Sequence, residues 1–224
     1  VLHLAALSGG IMANKRQPAD YCYKNLYMGT SMMHESWRAG VEKYITLIGG
    51  CSYPANANNP IKEEFLWDGY PQKESAPYSI AKKMSVVQSN AYRQQHNFNS
   101  IVLAPGNLYG PHDNFDLQAS HVIPALLRRF HEAKLNGDAE VVAWGSGKPM
   151  REFLHVDDMA AACVYVMNLP YIKFITAVPD PMRSHINVGT GRDITIAELS
   201  NTMARVIGFD GDIEFDVSKP DGTP

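Results

Sequence analysis

Two side chains with complementary acid–base chemistry stand four residues apart at the start of a predicted helix. Tyr78 and Lys82 therefore project from one helix face, with their Cβ atoms about 6 Å apart. An ammonium group beside a phenol favours the phenolate, so we expect Lys82 to lower the Tyr78 pKa and make the hydroxyl a usable proton donor and acceptor. This spacing is common on helix surfaces, so its meaning depends on the elements around it.

Those elements alternate between strand-length apolar runs and longer helical patterns, which is the rhythm of βαβ units. The pattern predicts an α/β fold with a doubly wound parallel sheet. In the predicted topology, three of the strands end near the helix that carries Tyr78, so their carboxyl ends should share one crevice. The predicted strands are 1–6, 44–48, 100–104, 141–144, 153–156, 186–188 and 212–215, and the predicted helices are 18–39, 78–96, 122–134, 157–167 and 197–207.

Composition excludes several classes of protein. The 224 residues carry a net charge of -3, which argues against a nucleic-acid partner. The longest stretch without Asp, Glu, Lys or Arg is 44–61, and its Gly, Pro and Asn make a membrane span improbable. Cys22, Cys51 and Cys163 form no C-x-x-C pair, so we expect neither a disulfide framework nor a zinc or other metal site, and we predict a cytoplasmic location.

Several longer motifs lie at the predicted crevice and beyond it. They include Cys-Ser-Tyr-Pro at 51–54, Asn-Leu-Tyr-Gly-Pro-His-Asp-Asn-Phe at 107–115, Ser-His-Val-Ile-Pro at 120–124 and Arg-Glu-Phe-Leu-His-Val-Asp-Asp at 151–158. With the Tyr78 and Lys82 pair, they make the chain resemble the extended short-chain dehydrogenase/reductase family. The resemblance covers essentially the whole chain and is closest to the branch that epimerises and reduces GDP-4-keto-6-deoxy-D-mannose.

This resemblance implies a two-part reaction with NADPH as the cofactor. Two carbons flanking a ketone would be epimerised, and the ketone would then be reduced to give GDP-L-fucose. Tyr78 and Lys82 would serve the reduction, while Cys51 and His121 match the family's two proton-transfer groups. A proton next to a carbonyl is acidic enough for a thiolate or an imidazole to abstract near neutral pH.

The resemblance also implies binding residues and a partner. The NADP-binding positions that match are Ala5, Ala6, Lys82, Pro105, Asn107, Leu108 and His121. The positions that match contacts to the GDP-sugar are Arg129, Trp144 and Arg151, and an arginine fork suits phosphate oxygens. The family commonly forms a homodimer through two helices, which here correspond to 18–39 and 78–96.

Two departures from the family pattern qualify these expectations. The family places a Ser or Thr hydroxyl four residues before Tyr53, where this chain has Gly49, so a donor worth about 10²-fold in rate is missing. No Gly-rich phosphate-binding turn follows a first strand. We therefore expect a Rossmann-like domain without its first βα unit over 1–115 and a mainly substrate-binding portion over 116–224, with 151–190 returning to the first sheet.

Other functions stay open at this point. Gly49 and the absent glycine turn would also suit a degenerate relative that binds a nucleotide-sugar without turnover. A related 4-epimerase or 4-reductase of nucleotide-sugars would not need both Cys51 and His121. A 4,6-dehydratase is disfavoured because its Thr-Asp-Glu tract would fall on 49–51, where no carboxylate stands.

Overall fold

The computed structural model describes residues 1–117, 119–179, 181–219 and 221, so the last three residues of the second predicted portion lie outside the described residues. Its main sheet has four parallel strands in the order β1-β2-β3-β7. These strands are β1 (Leu2–His3), β2 (Tyr44–Leu47), β3 (Ser100–Pro105) and β7 (Ile186–Val188). The predicted doubly wound parallel sheet is thereby confirmed.

Helices cover both faces of this sheet, which explains why every residue of β3 is buried. Ile101 and Leu103 pack on one side, while Val102 and Ala104 pack on the other, as the two-residue period of a strand requires. The helices of the first side are α5 (Val156–Asn168) and α6 (Tyr171–Ala177), and those of the second are α2 (Pro18–Arg38) and α3 (Ala76–His96). A short helix, α1 (Ile11–Arg16), precedes α2.

The C-terminal half builds two smaller sheets. One has the order β4-β6-β8 and contains β4 (Asn107–Tyr109), β6 (Met150–His155) and β8 (Asp193–Thr195). The other pairs β5 (Glu140–Trp144) with β9 (Asp212–Asp216) in parallel. A separate core of apolar side chains joins this last pair to α4 (Val122–Asn136) and α7 (Ile196–Ile207).

Several local predictions need correction. The first strand spans only Leu2–His3, because β1 pairs with β2 over two residues and the chain then leaves the sheet toward the crevice. The strands near 141 and 153 do not join the main sheet; they belong to the two smaller sheets. Among the described residues of the later chain, only 186–188 pair with β3, and the boundary between the two predicted portions stays a prediction.

Helix boundaries are close to those expected from sequence. The capping box at the start of α7 is present, with the Thr195 hydroxyl accepting from the Glu198 amide and the Glu198 carboxylate accepting from the Thr195 amide. Such a cap contributes about 1 kcal/mol to helix stability. The boundaries of a long, strongly periodic helix with its own caps are thus determined by the local sequence.

Candidate active site

The crevice at the carboxyl ends of β1 and β2 brings a phenol and a thiol to one point. A Cβ atom built on Gly49 would lie 3.8 Å from the Tyr78 hydroxyl and 3.1 Å from the Cys51 Sγ. Tyr78 stands in the first turn of α3, and Cys51 lies in a short 3-10 turn, 50–52, just after β2. The structure therefore brings together two of the predicted catalytic side chains around the position of Gly49.

Burial controls the protonation of this pair. Desolvation raises the Tyr78 pKa well above its ordinary value, the nearby Cys51 thiol raises it further, and a hydrogen bond from the Ser8 side chain partly opposes the rise. The expectation that Lys82 lowers the Tyr78 pKa is therefore wrong for this structure. Because burial outweighs charge here, Tyr78 keeps its proton throughout the neutral range and can donate it.

Lys82 lies one helical turn after Tyr78 and is only 7% exposed. Desolvation lowers its pKa, while the Cys51 thiol beside it acts in the opposite direction. The positive charge acts on Cys51 and His3, whose pKa values it lowers. Lys82 is thus a buried cation beneath the crevice rather than a surface charge.

The Cys51 thiol is protonated at neutral pH, although the residue as a whole is exposed. Desolvation by the surrounding atoms raises the thiol pKa, and the hydroxyl of Ser79 and the charge of Lys82 oppose that rise. A protonated thiol under the influence of a nearby cation can return a proton to carbon, and the cation stabilises the thiolate that results.

His121 is the exposed residue that precedes α4, and its side chain makes no capping hydrogen bond to that helix. The segment just before it reaches the crevice through Gly10, whose amide donates to the Ala119 carbonyl at 3.0 Å. A Cβ on Gly10 would lie 3.0 Å from the Ser120 carbonyl oxygen, so glycine permits this close approach. His121 therefore stands beside the same loop that carries Ser8.

The residues expected to bind NADP occupy the neighbouring strand ends. Ala5 and Ala6 are exposed in the segment that leaves β1, and Pro105 ends β3 as a buried residue. Asn107 and Leu108 follow in β4, where the side-chain amide of Asn107 donates to the Glu152 backbone carbonyl at 3.0 Å.

A second group of side chains forms around the exposed indole of Trp144, which is 41% exposed. The Arg129 guanidinium lies over the ring at 4.8 Å from its centroid and also donates to the Val142 carbonyl. Lys219 places its Nζ atom 5.6 Å from the same centroid. Trp144 is therefore a surface platform and not a core residue, and Lys219 is a cation that sequence reasoning missed.

Asp221, the last described residue, holds Arg151 near this group. The Arg151 guanidinium donates to the Asp221 carbonyl at 3.2 Å, while the Asp221 carboxylate accepts from the Ser146 amide and hydroxyl. These Ser146 hydrogen bonds lower the Asp221 pKa. Ser146 and Asp221 are 75 positions apart, so no local signal in the sequence could have joined them.

The Gly-Thr-Gly segment after β7 binds a carboxylate of the protein itself. Glu152 accepts from the Gly191 amide at 2.7 Å and from the Thr190 hydroxyl at 3.0 Å. A Cβ on Gly189 would collide with this carboxylate, so a side chain there would displace Glu152 from these hydrogen bonds. The segment leads from β7 into β8, and these hydrogen bonds link it to β6.

A buried network fixes the segment that follows Cys51. The Tyr53 hydroxyl donates to Asn187 Oδ1 at 2.5 Å and lies 2.7 Å from His185 Nε2. Since Tyr53 has one hydrogen to donate, His185 carries its proton on Nε2 and donates to Tyr53. The Asn187 amide nitrogen of the backbone in turn donates to Glu63.

This network should make folding sensitive to acid. Burial lowers the His185 pKa from 6.5 to about 4, with Glu63 opposing and Lys83 adding to the effect. Because the folded protein binds this proton more weakly than the unfolded chain, about 3 kcal/mol of unfolding free energy is lost as pH falls from 6.5 to about 4. Denaturant titrations near both pH values should show a smaller loss for His185→Gln, whose amide can still donate to Tyr53 but does not titrate. An equal loss in both proteins would contradict this role.

Within the ranges given above, no cluster of three or more His, Cys, Asp or Glu side chains is arranged to hold a metal ion. No single described helix has both the length and the apolar composition to cross a bilayer, and α5 with α6 meets these criteria only as a pair bent by 114°.

Comparison with known proteins identifies the family. A family model described as "NAD dependent epimerase/dehydratase family" matches residues 1–174. GDP-L-fucose synthase of Escherichia coli (strain K12) is 49% identical over 220 residues, which are 98% of this chain and 68% of that protein. GDP-L-fucose synthase 1 of Arabidopsis thaliana is 45% identical over 224 residues, covering 100% of this chain and 66% of that protein. The chain thus spans about two thirds of the length of these relatives.

Solved structures agree with this assignment. The crystal structure of a GDP-6-OMe-4-keto-L-xylo-heptose reductase from C. jejuni superposes with a TM-score of 0.91 at 33% identity, covering 99% of this chain and 72% of that one. A GDP-L-fucose synthetase from Naegleria fowleri bound to NADP gives a TM-score of 0.83 at 28% identity, covering 99% and 65%. The chain belongs to the NAD dependent epimerase/dehydratase family, within its GDP-L-fucose synthase branch.

Proposed function

We propose that this protein carries out the NADPH-dependent epimerisation and reduction of GDP-4-keto-6-deoxy-D-mannose to GDP-L-fucose. The observation that supports it most strongly is the convergence of the Tyr78 hydroxyl and the Cys51 Sγ on one point beside Gly49. A proton donor for a ketone oxygen and a thiol for the adjacent carbon are what the two half-reactions need. The curated relatives at 45–49% identity carry the name of this activity.

The cofactor would lie along the strand ends next to Lys82. We infer that Lys82 holds ribose hydroxyls, because it is a buried cation one helical turn after Tyr78 on α3. When bound, NADPH supplies the hydride that reduces the ketone. Tyr78 then passes its proton to the ketone oxygen, and Lys82 stabilises negative charge that develops in the crevice.

Epimerisation would use Cys51 and His121 as a pair. One group takes a proton from the carbon next to the ketone, and the other returns a proton to the opposite face. The Lys82 charge favours the thiolate of Cys51. The exposed His121 approaches from the α4 side, through the contact of its segment with Gly10.

The GDP moiety would bind at the group around Trp144. Arg129 and Arg151 offer guanidinium forks for the diphosphate oxygens, and the exposed indole face of Trp144 offers a surface for the base or the sugar. Lys219 adds a third positive charge to this binding surface.

A GDP-sugar 4-reductase without epimerisation is a second candidate. It is favoured by the similarity to the C. jejuni GDP-4-keto-heptose reductase, which has a TM-score of 0.91. A degenerate protein that binds the nucleotide-sugar without turnover is a third, because Gly49 lacks the family hydroxyl.

One assay separates the three. The protein is incubated with GDP-4-keto-6-deoxy-mannose and NADPH in deuterated water, and NADPH oxidation and deuterium at the carbons flanking the ketone are both measured. Oxidation with deuterium incorporation supports the epimerase/reductase, and oxidation alone supports the 4-reductase. Binding of the nucleotide-sugar without either signal would establish the degenerate protein and overturn the proposal.

We also infer a homodimer through α2 and α3, in a reducing, cytoplasmic location that suits three free cysteines. Exposed apolar side chains continue along the outer face of these two helices: Tyr23, Tyr27, Met32, Ile80, Met84 and Val87. Those of α3 recur at helical spacing, so they form one stripe that a second copy can cover.

The dimer can be tested by placing a charge in this stripe. Met84→Glu should shift the protein from dimer to monomer in light scattering, because a carboxylate would be buried without a partner at the interface. Val206→Glu on α7, where the valine is 74% exposed, is the matched control and should leave the dimer intact. A monomeric wild type, or a dimeric Met84→Glu variant, would exclude this interface.

A further inference from the structure

The short turn that carries Cys51 is held at both ends. It follows β2, and beyond the turn the Tyr53 amide donates to the Gly50 carbonyl at 3.2 Å. The Tyr53 side chain is 4% exposed and belongs to an apolar cluster with Leu66 and Val86. The anchor of this one side chain therefore influences where the Cys51 thiol lies in the crevice.

Two side chains at β7 clamp the Tyr53 hydroxyl. The hydroxyl donates to Asn187 Oδ1 at 2.5 Å and accepts from His185 Nε2 at 2.7 Å. His185 is 1% exposed, and its ring centroid lies 5.9 Å from that of Tyr53. It immediately precedes β7, which begins at Ile186, and Asn187 pairs with Ala104 of β3. The phenol of Tyr53 is thus fixed to the main sheet.

The same strand also holds the loop that continues from Tyr53. The Asn187 backbone amide donates to Glu63 Oε1 at 2.9 Å, and its side-chain amide donates to the Ile61 carbonyl at 3.1 Å. Tyr78, by contrast, stands in the first turn of α3. The anchor of the Cys51 turn on β7 is therefore separate from the helix that carries Tyr78.

We propose that His185 is a positioning residue for epimerisation, which holds the Tyr53 hydroxyl and thereby sets where the Cys51 thiol stands relative to the carbon next to the ketone. This inference rests on the proposed role of Cys51 and leaves the reduction to Tyr78. Reacting atoms must approach to about 3–3.5 Å, and a displacement of about 1 Å can cost about 10²-fold in rate. Because it is buried, His185 acts through Tyr53 rather than on the substrate.

The test compares four variants with the wild type. His185→Leu and Tyr53→Phe each remove the hydrogen bond, whereas His185→Gln keeps an amide that can donate to Tyr53. Tyr92→Phe is the matched control, because the Tyr92 hydroxyl lies 2.6 Å from His34 Nδ1 and so belongs to a tyrosine–histidine pair of the same kind. Tyr92 lies 14 residues after Tyr78 on α3, about 21 Å further along the helix axis.

Deuterium incorporation next to the ketone and ketone-dependent NADPH oxidation are measured in the same samples. His185→Leu and Tyr53→Phe should lower incorporation at least about 10-fold, because the thiol is displaced, while oxidation changes by less than about 2-fold. His185→Gln and Tyr92→Phe should match the wild type in both. Unchanged incorporation in Tyr53→Phe, or an equal loss of incorporation and oxidation, would overturn the proposal, because a merely structural role would affect both half-reactions.

A second measurement does not depend on turnover. Iodoacetamide alkylates the Cys51 thiol, and mass spectrometry follows Cys22 in the same sample as an internal reference. A turn released from its anchor lets water reach the thiol and lowers its pKa, so Cys51 in Tyr53→Phe should be alkylated at least about 3-fold faster. The rate at Cys22, and both rates in Tyr92→Phe, should match the wild type.

The alkylation rate separates this role of His185 from the proposed function. If the wild type incorporates no deuterium, the proposed epimerisation falls, and alkylation alone decides whether Tyr53 and His185 position Cys51. An unchanged alkylation rate at Cys51 in both Tyr53→Phe and His185→Leu would overturn the inference, whether or not the protein is active.

Discussion

Tyr78→Phe lowers kcat for ketone-dependent NADPH oxidation by about 10²- to 10⁴-fold, the range that a positioned general acid contributes. The phenol holds its proton through the neutral range because burial raises its pKa. Phenylalanine fills the same volume but cannot give a proton to the ketone oxygen. Stopped-flow measurement of NADPH absorbance with saturating substrate checks this expectation.

The controls for this variant separate chemistry from binding and folding. The Kd for NADPH should change little in Tyr78→Phe, because Lys82 and the strand ends are unaltered. Tyr165→Phe on α5, where the tyrosine is 68% exposed, is the matched control and should keep the wild-type rate. A loss of less than 10-fold in Tyr78→Phe would assign the proton transfer to another group.

Cys51→Ala lowers deuterium incorporation next to the ketone by at least about 10²-fold, since carbon acids need a positioned acid–base group. Reduction should continue in this variant, because Tyr78 and Lys82 remain, so the product is the 6-deoxy sugar that has not been epimerised. Mass spectrometry of the product and NMR of the sugar ring protons measure both effects in one sample.

Cys22→Ala provides a thiol control on α2, at a partly buried position. It should keep both deuterium incorporation and the epimerised product. If Cys51→Ala incorporates deuterium as fast as Cys22→Ala, epimerisation does not pass through this thiol, and the 4-reductase becomes the better description of the protein.

Local sequence patterns predicted the helices more accurately than they predicted which strands share a sheet. Helices α2, α3, α4, α5 and α7 begin and end within two residues of the expected positions, because caps and apolar periodicity are local properties. The assignment of strands to sheets was less accurate. Strands near 141 and 153 have the same apolar patterns as those of the main sheet, and only their packing against α4 and α7 places β5 in a separate core.

In the candidate site, too, residue spacing predicted some features, and others depend on the tertiary structure. The Tyr78 and Lys82 pair follows from helical spacing, and the structure places Cys51 beside it. Helical spacing did not predict the direction of the Tyr78 pKa shift, because that direction depends on how many atoms surround the hydroxyl. Lys219 and Asp221 were missed because their partners lie far away along the chain.

The sequence by itself determined the fold class, the helices, the family and the residue types available for proton transfer, since these depend on patterns within a few turns of chain. Only the tertiary structure decided which of these groups meet and how they are protonated. Desolvation and hydrogen bonding depend on all the atoms within a few ångströms, whatever their distance in sequence. The meeting of Tyr78 and Cys51 around Gly49 is visible only there, because one side chain comes from α3 and the other from the turn after β2.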